Sequence, residues 1–234
     1  MKDRDGNSHN SKLRTAALII GIAFAVLLIT IVGFLVWAEY GGGLAWFQNR
    51  FFPVAVDKPV IYVYPEKETL LSIRFLDSEK ISVSYPDYAS GWSFTAFPDG
   101  SLTADGKTYP YLYYEFEASV EFGDEGFVVA GKDAASFLEE KLEDMGFDYR
   151  EKTDFITYWL PRLSANEYNR IEFLTGEKLD ALMPITIDPE PDSVFRVYML
   201  FSSCGEDLEL EPQSLPRFVK NGFSVLEWGG SELH

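Results

Sequence analysis

Residues 15–38, TAALIIGIAFAVLLITIVGFLVWA, form an apolar run with no charged side chain and only Thr15 and Thr30 as hydroxyl residues. As a helix the run would rise about 36 Å at 1.5 Å per residue, against a hydrocarbon core of about 30 Å. The pattern predicts a single transmembrane helix. Lys2, Arg4, Lys12 and Arg14 precede it, whereas only Arg50 and Lys58 occur in the stretch 39–58. That asymmetry predicts a cytoplasmic tail at 1–14 and a C-terminal domain outside the membrane. The alternative is a signal peptide cleaved after Ala38, since Val36-Trp37-Ala38 fits the small-residue rule, but an h-region is normally about 7–15 residues long.

Ala17, Gly21, Ala25 and Gly33 share one face of that helix. Small residues so spaced let a second helix approach closely, so a helix-mediated homodimer is expected. Residues 39–56 then hold a hinge, Gly41-Gly42-Gly43, and an aromatic juxtamembrane stretch with Trp46, Phe47, Phe51 and Phe52 beside Arg50. Aromatic side chains suit the headgroup level of a bilayer.

From residue 57 the period changes to 2. Leu71, Ile73 and Phe75 alternate with Ser72 and Arg74, and from Tyr111 to Phe122 every even position is apolar. Such alternation reads as antiparallel strands with one face on a core. Pro98-Asp99-Gly100 and Ala104-Asp105-Gly106 are turn sequences between such strands. Asp133 caps an expected helix with Ala134, Phe137, Leu138, Leu142 and Met145 in helical phase and Gly146 as its stop. Phe155–Leu160 reads as a strand stopped by Pro161, and Ser164-x-x-Glu167 as a capping box. Val194–Phe201, apolar on both sides apart from Arg196, reads as a central strand. The expected class is therefore one transmembrane helix followed by an extracytoplasmic α+β domain at 57–230, strongly β-weighted, a meander or sandwich whose one place to divide is near residue 125.

Composition narrows the functions. The 234 residues carry a net charge of −17, 47% hydrophobic and 16% aromatic residues. The chain is therefore rich enough in core formers to fold, and its field opposes nucleic acid as a partner. Its histidines are His9 and His234, and Cys204 is its one cysteine. Histidine-dependent catalysis, zinc or iron sites and disulfides are therefore not expected, nor is any cofactor or metal.

Carboxylates and aromatics remain. Glu115 and Glu117 share a strand face about 6.5–7 Å apart, within the roughly 5–10 Å that two glycosidase carboxylates require. Tyr111, Tyr113, Glu115 and Glu117 make a row facing away from the core, with Trp92 and Trp159 as candidate neighbours. Aromatic faces stack on sugar rings and carboxylates accept sugar hydroxyls.

Lys58-Pro59-Val60-Ile61-Tyr62-Val63-Tyr64-Pro65-Glu66, Gly91-Trp92, Pro98-Asp99-Gly100, Tyr111-Leu112-Tyr113-Tyr114-Glu115, Tyr158-Trp159-Leu160-Pro161 and Glu227-Trp228-Gly229-Gly230 follow one another along residues 57–230. In that order they resemble an uncharacterised family of bacterial, mostly clostridial, surface or secreted proteins. The resemblance implies a Gram-positive envelope location and one continuous domain. The leading expectation is a membrane-tethered extracytoplasmic binding or interaction domain, with the lipid bilayer and a cell-wall glycan or another envelope protein as partners. A carboxylate-dependent hydrolase of envelope carbohydrate and a structural subunit of a membrane complex are the alternatives.

Overall fold

The computed structural model describes residues 20, 24–34, 36 and 54–233. The chain divides into two units, Met1–Phe51 and Phe52–His234. In the first unit the described residues are helical.

The membrane expectation is overturned. Among the described residues no helix is long and apolar enough to cross a membrane. Crossing takes about 20 consecutive apolar residues in one helix, and no described helix supplies them. The transmembrane helix at 15–38, the single-pass topology and the outer-side location built on it are corrected accordingly. Ala25 and Gly33 are exposed helical positions, and a Cβ on Gly33 would meet nothing within 4 Å. The tail 1–14, Ala17, Gly21, the site after Ala38 and the hinge and aromatic stretch up to residue 53 lie outside the described residues.

The second unit is β-rich α+β, with 13 strands in two sheets among the described residues. The larger sheet has the spatial order β12 (Glu211–Pro212), β8 (Glu125–Ala130), β9 (Tyr168–Thr175), β11 (Ser193–Ser203), β13 (Ser224–Glu232), β1 (Val54–Tyr64), β7 (Leu112–Ala118) and β3 (Ile81–Tyr85). The smaller runs β10 (Ile185–Asp188), β2 (Thr69–Phe75), β4 (Trp92–Ala96), β5 (Leu102–Ala104) and β6 (Lys107–Tyr109). Pairing is antiparallel except for β11 with β13 and β12 with β8.

Three layers result. One face of the large sheet packs on the small sheet: Ile61, Leu112, Tyr114 and Phe116 meet Leu71, Ile73, Phe75 and Phe94 in one buried cluster. The even positions of β7 and the odd positions of β2 fall here, which is why both strands alternate. The opposite face carries Tyr62, Phe173, Met199 and Trp228 against the helices α1 (Ala134–Asp144) and α2 (Tyr149–Leu163). β11 and β13 lie in the middle, covered on both sides, so their burial is nearly continuous. A short helix, α3 (Glu177–Leu182), follows β9.

α1 begins one residue after Asp133, as its period predicts. α2 replaces the strand expected at Phe155–Leu160 and contains Pro161. Phe155, Trp159 and Leu163 are buried at helical spacing on its inner face. Asp148 starts it by accepting from Arg150 N (2.9 Å) and Glu151 N (3.0 Å), while Glu151 Oε2 accepts from Asp148 N (2.8 Å). The capping box is therefore at Asp148 and Glu151, and Ser164 is the residue that ends the helix.

Glu151 is fully buried, and its Oε1 accepts from Tyr64 (2.8 Å) and from Lys220 Nζ (2.6 Å). Lys220 also reaches Asp148 at 2.9 Å. Burial alone would raise the Asp148 carboxyl, but the Glu151 backbone N–H and the Lys220 ammonium hold it below the ordinary carboxylate value. This cluster fixes the end of β1 to the start of α2.

Candidate functional site

The site starts from a defect in β1. Its pairing slips between Asp57 and Val60 in the ladder with β13 and between Val56 and Val60 in the ladder with β7, and Lys58 there takes φ 50°. A non-glycine residue in the left-handed region costs on the order of 1–3 kcal/mol, and such strain clusters at functional sites. Proline at 59 donates nothing to a ladder, which suits a bulge.

The bulge turns the Lys58 ammonium onto aromatic rings, 4.5 Å from the Tyr158 centroid and 5.8 Å from that of Trp228. Among the described residues it meets rings and no hydrogen-bond acceptor. Burial lowers its pKa, opposed by the Asp154 carboxylate and reinforced by Arg162.

Around it lies an open cleft of about 340 Å³, lined by Lys58, Tyr85, Tyr111, Tyr113 and Tyr158. They come from four parts of the fold: Lys58 from β1, Tyr85 from the end of β3, Tyr111 just before β7 and Tyr113 within it, and Tyr158 from α2. The helices cover the centre of the large sheet, so its β7–β3 margin is left as a floor beside the flank of α2. Tyr85 is 62% exposed, and its ring sits edge-on to Tyr109, 5.3 Å between centroids.

The surrounding polar groups are engaged. Tyr62 donates to Asp154 Oδ2 at 2.7 Å and its ring meets Tyr111 at 5.4 Å. Tyr113 donates to Glu115 Oε1. Arg162 lies 3.6 Å from Asp57, its guanidinium carbon is 4.5 Å from the Tyr158 centroid, and its Nη2 donates to the Tyr158 hydroxyl at 3.2 Å. Tyr158 thus lies within reach of two cations. Burial raises the Asp57 carboxyl against the pull of Arg162, with Glu115 and Glu232 adding to the rise. Burial, together with the Glu115 carboxylate, also raises the Tyr113 hydroxyl, so it remains a donor at neutral pH.

Of the residues expected from the sequence, Tyr111 and Tyr113 are brought together at the cleft. Glu115 stands behind Tyr113, and neither Glu115 nor Glu117 lines the cleft; Glu117 is exposed. Trp159 is next to Tyr158 but fully buried in the core under α2. Trp92 is buried between the two sheets, donating Nε1 to Pro86 O at 2.9 Å. Lys58, Tyr85 and Tyr158 are the additions. The Lys-Pro pair opening an apolar strand is the one signal that could have found the bulge, and Tyr158 becomes visible once α2 is read as a helix. Among the described residues no three His, Cys, Asp or Glu side chains are grouped to hold a metal ion.

No protein-family model matches the chain, and no solved structure does. The chain is similar to an uncharacterised protein in the bglA 3′ region of Butyrivibrio fibrisolvens, 36% identical over 61 residues. The matched stretch is 25% of this chain and spans 64% of that protein's length.

Proposed function

We propose that the β-rich domain is a carbohydrate-binding module and that the tyrosine cleft receives a sugar ring. The observation that carries this reading is Lys58, held at φ 50° in a bulge with no hydrogen-bond acceptor among the described residues, at the wall of a cleft lined otherwise by tyrosines. The volume of about 340 Å³ falls at the small end of the roughly 300–1,000 Å³ of ligand sites. A wholly apolar ligand would leave the Lys58 donors and the Tyr85 and Tyr111 hydroxyls without partners as it expelled water, at about 1–3 kcal/mol each. A sugar offers both parts, a C–H face for the rings and hydroxyls for the ammonium and phenols. The carboxylates nearest the cleft are engaged by Tyr62, Tyr113 and Arg162, which favours holding a ligand over proton transfer to it.

The test is binding of soluble fragments of purified bacterial cell-wall glycan, measured by calorimetry. Tyr85→Ala, at an exposed position, and Lys58→Gln should each weaken binding by about tenfold or more, the loss of about 1.4 kcal/mol. Glu117→Gln should leave it unchanged. Equal affinities for all of these chains would refute the assignment.

A further inference from the structure

We infer that the free edge of β8 is a docking site where an extended, basic segment of another protein adds to the large sheet as a strand. β8 pairs with β9 in the register Phe127↔Ile171 to Ala130↔Tyr168. Continuing that register, Gly131 N donates to Glu167 O at 2.9 Å. In an antiparallel ladder hydrogen-bonded and open pairs alternate. Phe127 and Val129 are therefore bonded to β9, and Val128 and Ala130 point their N–H and C=O groups away from it. The other side of β9 agrees, because Cys204 N donates to Tyr168 O at 3.1 Å, so Tyr168 faces β11.

The chain closes only the first part of this edge. Glu211 and Pro212 pair with Glu125 and Gly126. Next to them the Gln213 side-chain amide acts as a piece of strand, accepting from Phe173 N at 2.8 Å and donating to Phe173 O at 2.6 Å. Beyond Gly126, nothing among the described residues pairs with the outward Val128 N–H and C=O or the Ala130 N–H, while the Ala130 C=O opens the single 3-10 turn Gly131–Asp133 that ends the edge. Proteins usually protect such an edge with charge, proline or a bulge, and Phe127-Val128-Val129-Ala130 has none of these.

A groove of about 1000 Å³ runs beside the edge, between β8, residues 208–212 and α1, with Phe127, Val129 and Phe137 as its apolar lining. A second hollow of about 300 Å³ continues it past Ala130. An edge strand facing a helix across a groove is the geometry in which an added strand takes backbone bonds from one wall and seats alternate side chains against the other. The charge of the walls selects the guest. Asp124, Glu140, Glu209 and Glu211 line the main groove against Lys141 alone, and the Lys141 ammonium is held 2.8 Å from Glu140. A basic strand complements these walls. A second copy of this chain, with its net charge of −17, would bring like charges together.

The probe is a fluorescent peptide of alternating Lys and Val, titrated into the full chain and followed by anisotropy. It should bind at least about tenfold more tightly than a Glu-Val peptide of the same length. Val128→Pro removes an outward N–H without touching the β9 ladder, so it should abolish peptide binding while the unfolding transition stays in place. Methylating alternate backbone nitrogens of the peptide should do the same with the protein unaltered. Full binding by the methylated peptide, or by a folded Val128→Pro chain, would overturn the inference by reducing the contact to charge alone. Dimerisation of the chain that Val128→Pro abolishes would overturn it as well, assigning the edge to a second copy.

Discussion

Glu227→Ala is expected to destabilise the β-rich domain by about 3–5 kcal/mol, the cost of leaving one partner of a buried ion pair uncompensated. Glu227 is 1% exposed, on β13 in the middle of the large sheet. Its Oε2 accepts from Arg196 Nε at 2.7 Å, and its Oε1 accepts from the Tyr114 hydroxyl at 2.5 Å and from Tyr198. Arg196 is itself 5% exposed and its Nη1 donates to Asp180 Oδ1 at 3.0 Å. Burial would lower the guanidinium pKa, but the Glu227 carboxylate and the two phenols more than offset this and hold it raised. Removal of the carboxylate leaves that cation between two sheets with the exposed Asp180 as its remaining ion-pair partner among the described residues. Arg196→Met with Glu227→Leu leaves the Tyr114 and Tyr198 hydroxyls 2.7 Å apart to bond each other, so the double variant should cost less than Glu227→Ala alone. Urea unfolding of the set checks this, and a double variant less stable than the single one would contradict a charge-pair account.

Gly230→Ala should be comparably damaging, about 3 kcal/mol, although it adds one methyl group. A Cβ there would stand 2.4 Å from Met199 O and 2.9 Å from the Trp159 ring. The first of these is backbone of the neighbouring parallel strand, where Met199 pairs with Gly230. The methyl can enter only if β11 and β13 part or Trp159 is driven from the core. Thermal unfolding should show a lowered midpoint for Gly230→Ala; an unchanged midpoint would mean that this approach is looser than its distances.

These two residues explain the closing motif Glu227-Trp228-Gly229-Gly230. Glu227 anchors the buried charge, Trp228 fills the core under α2, Gly229 lies against Pro59, and Gly230 makes the close approach. The turn Pro98-Asp99-Gly100 has a similar basis. Gly100 takes φ 81°, and a Cβ on it would lie 2.8 Å from the Tyr64 ring.

How legible each element was follows from what packs against it. β7 and β2 show their alternation because each has one face on the shared core and one facing outward. β11 shows no alternation because it is covered on both faces, and its apolar run points to a central place. The sequence of α2 resembles a strand because Phe, Ile, Thr, Tyr and Trp at 155–159 favour strands and Pro161 looks like a stop. Tertiary packing of Phe155, Trp159 and Leu163 overrides those preferences, and Asp148-x-x-Glu151 was the readable start. The long apolar run at 15–38 shows the converse error: length and hydropathy were read as a span, yet among the described residues no helix can make one.

The cleft was half legible. Tyr111 and Tyr113 follow from the outward positions of β7. Lys58, Tyr85 and Tyr158 come from three separate elements, and only the bulge in β1 and the position of α2 bring them together. The row Tyr111, Tyr113, Glu115, Glu117 was read as one open face, but α2 covers its upper end, turning two of its residues into a cleft wall and leaving Glu117 in solvent.

The most direct measurement of the proposed function is a titration of the full chain with the glycan fragments, monitored by NMR through the tyrosine ring signals and the Lys58 side-chain resonances. The account predicts saturable shifts confined to Tyr85, Tyr111, Tyr113, Tyr158 and Lys58, with Tyr109, which touches Tyr85 but does not line the cleft, moving less. Saturable shifts elsewhere with these five signals unmoved, or no shift at any fragment concentration, would contradict it.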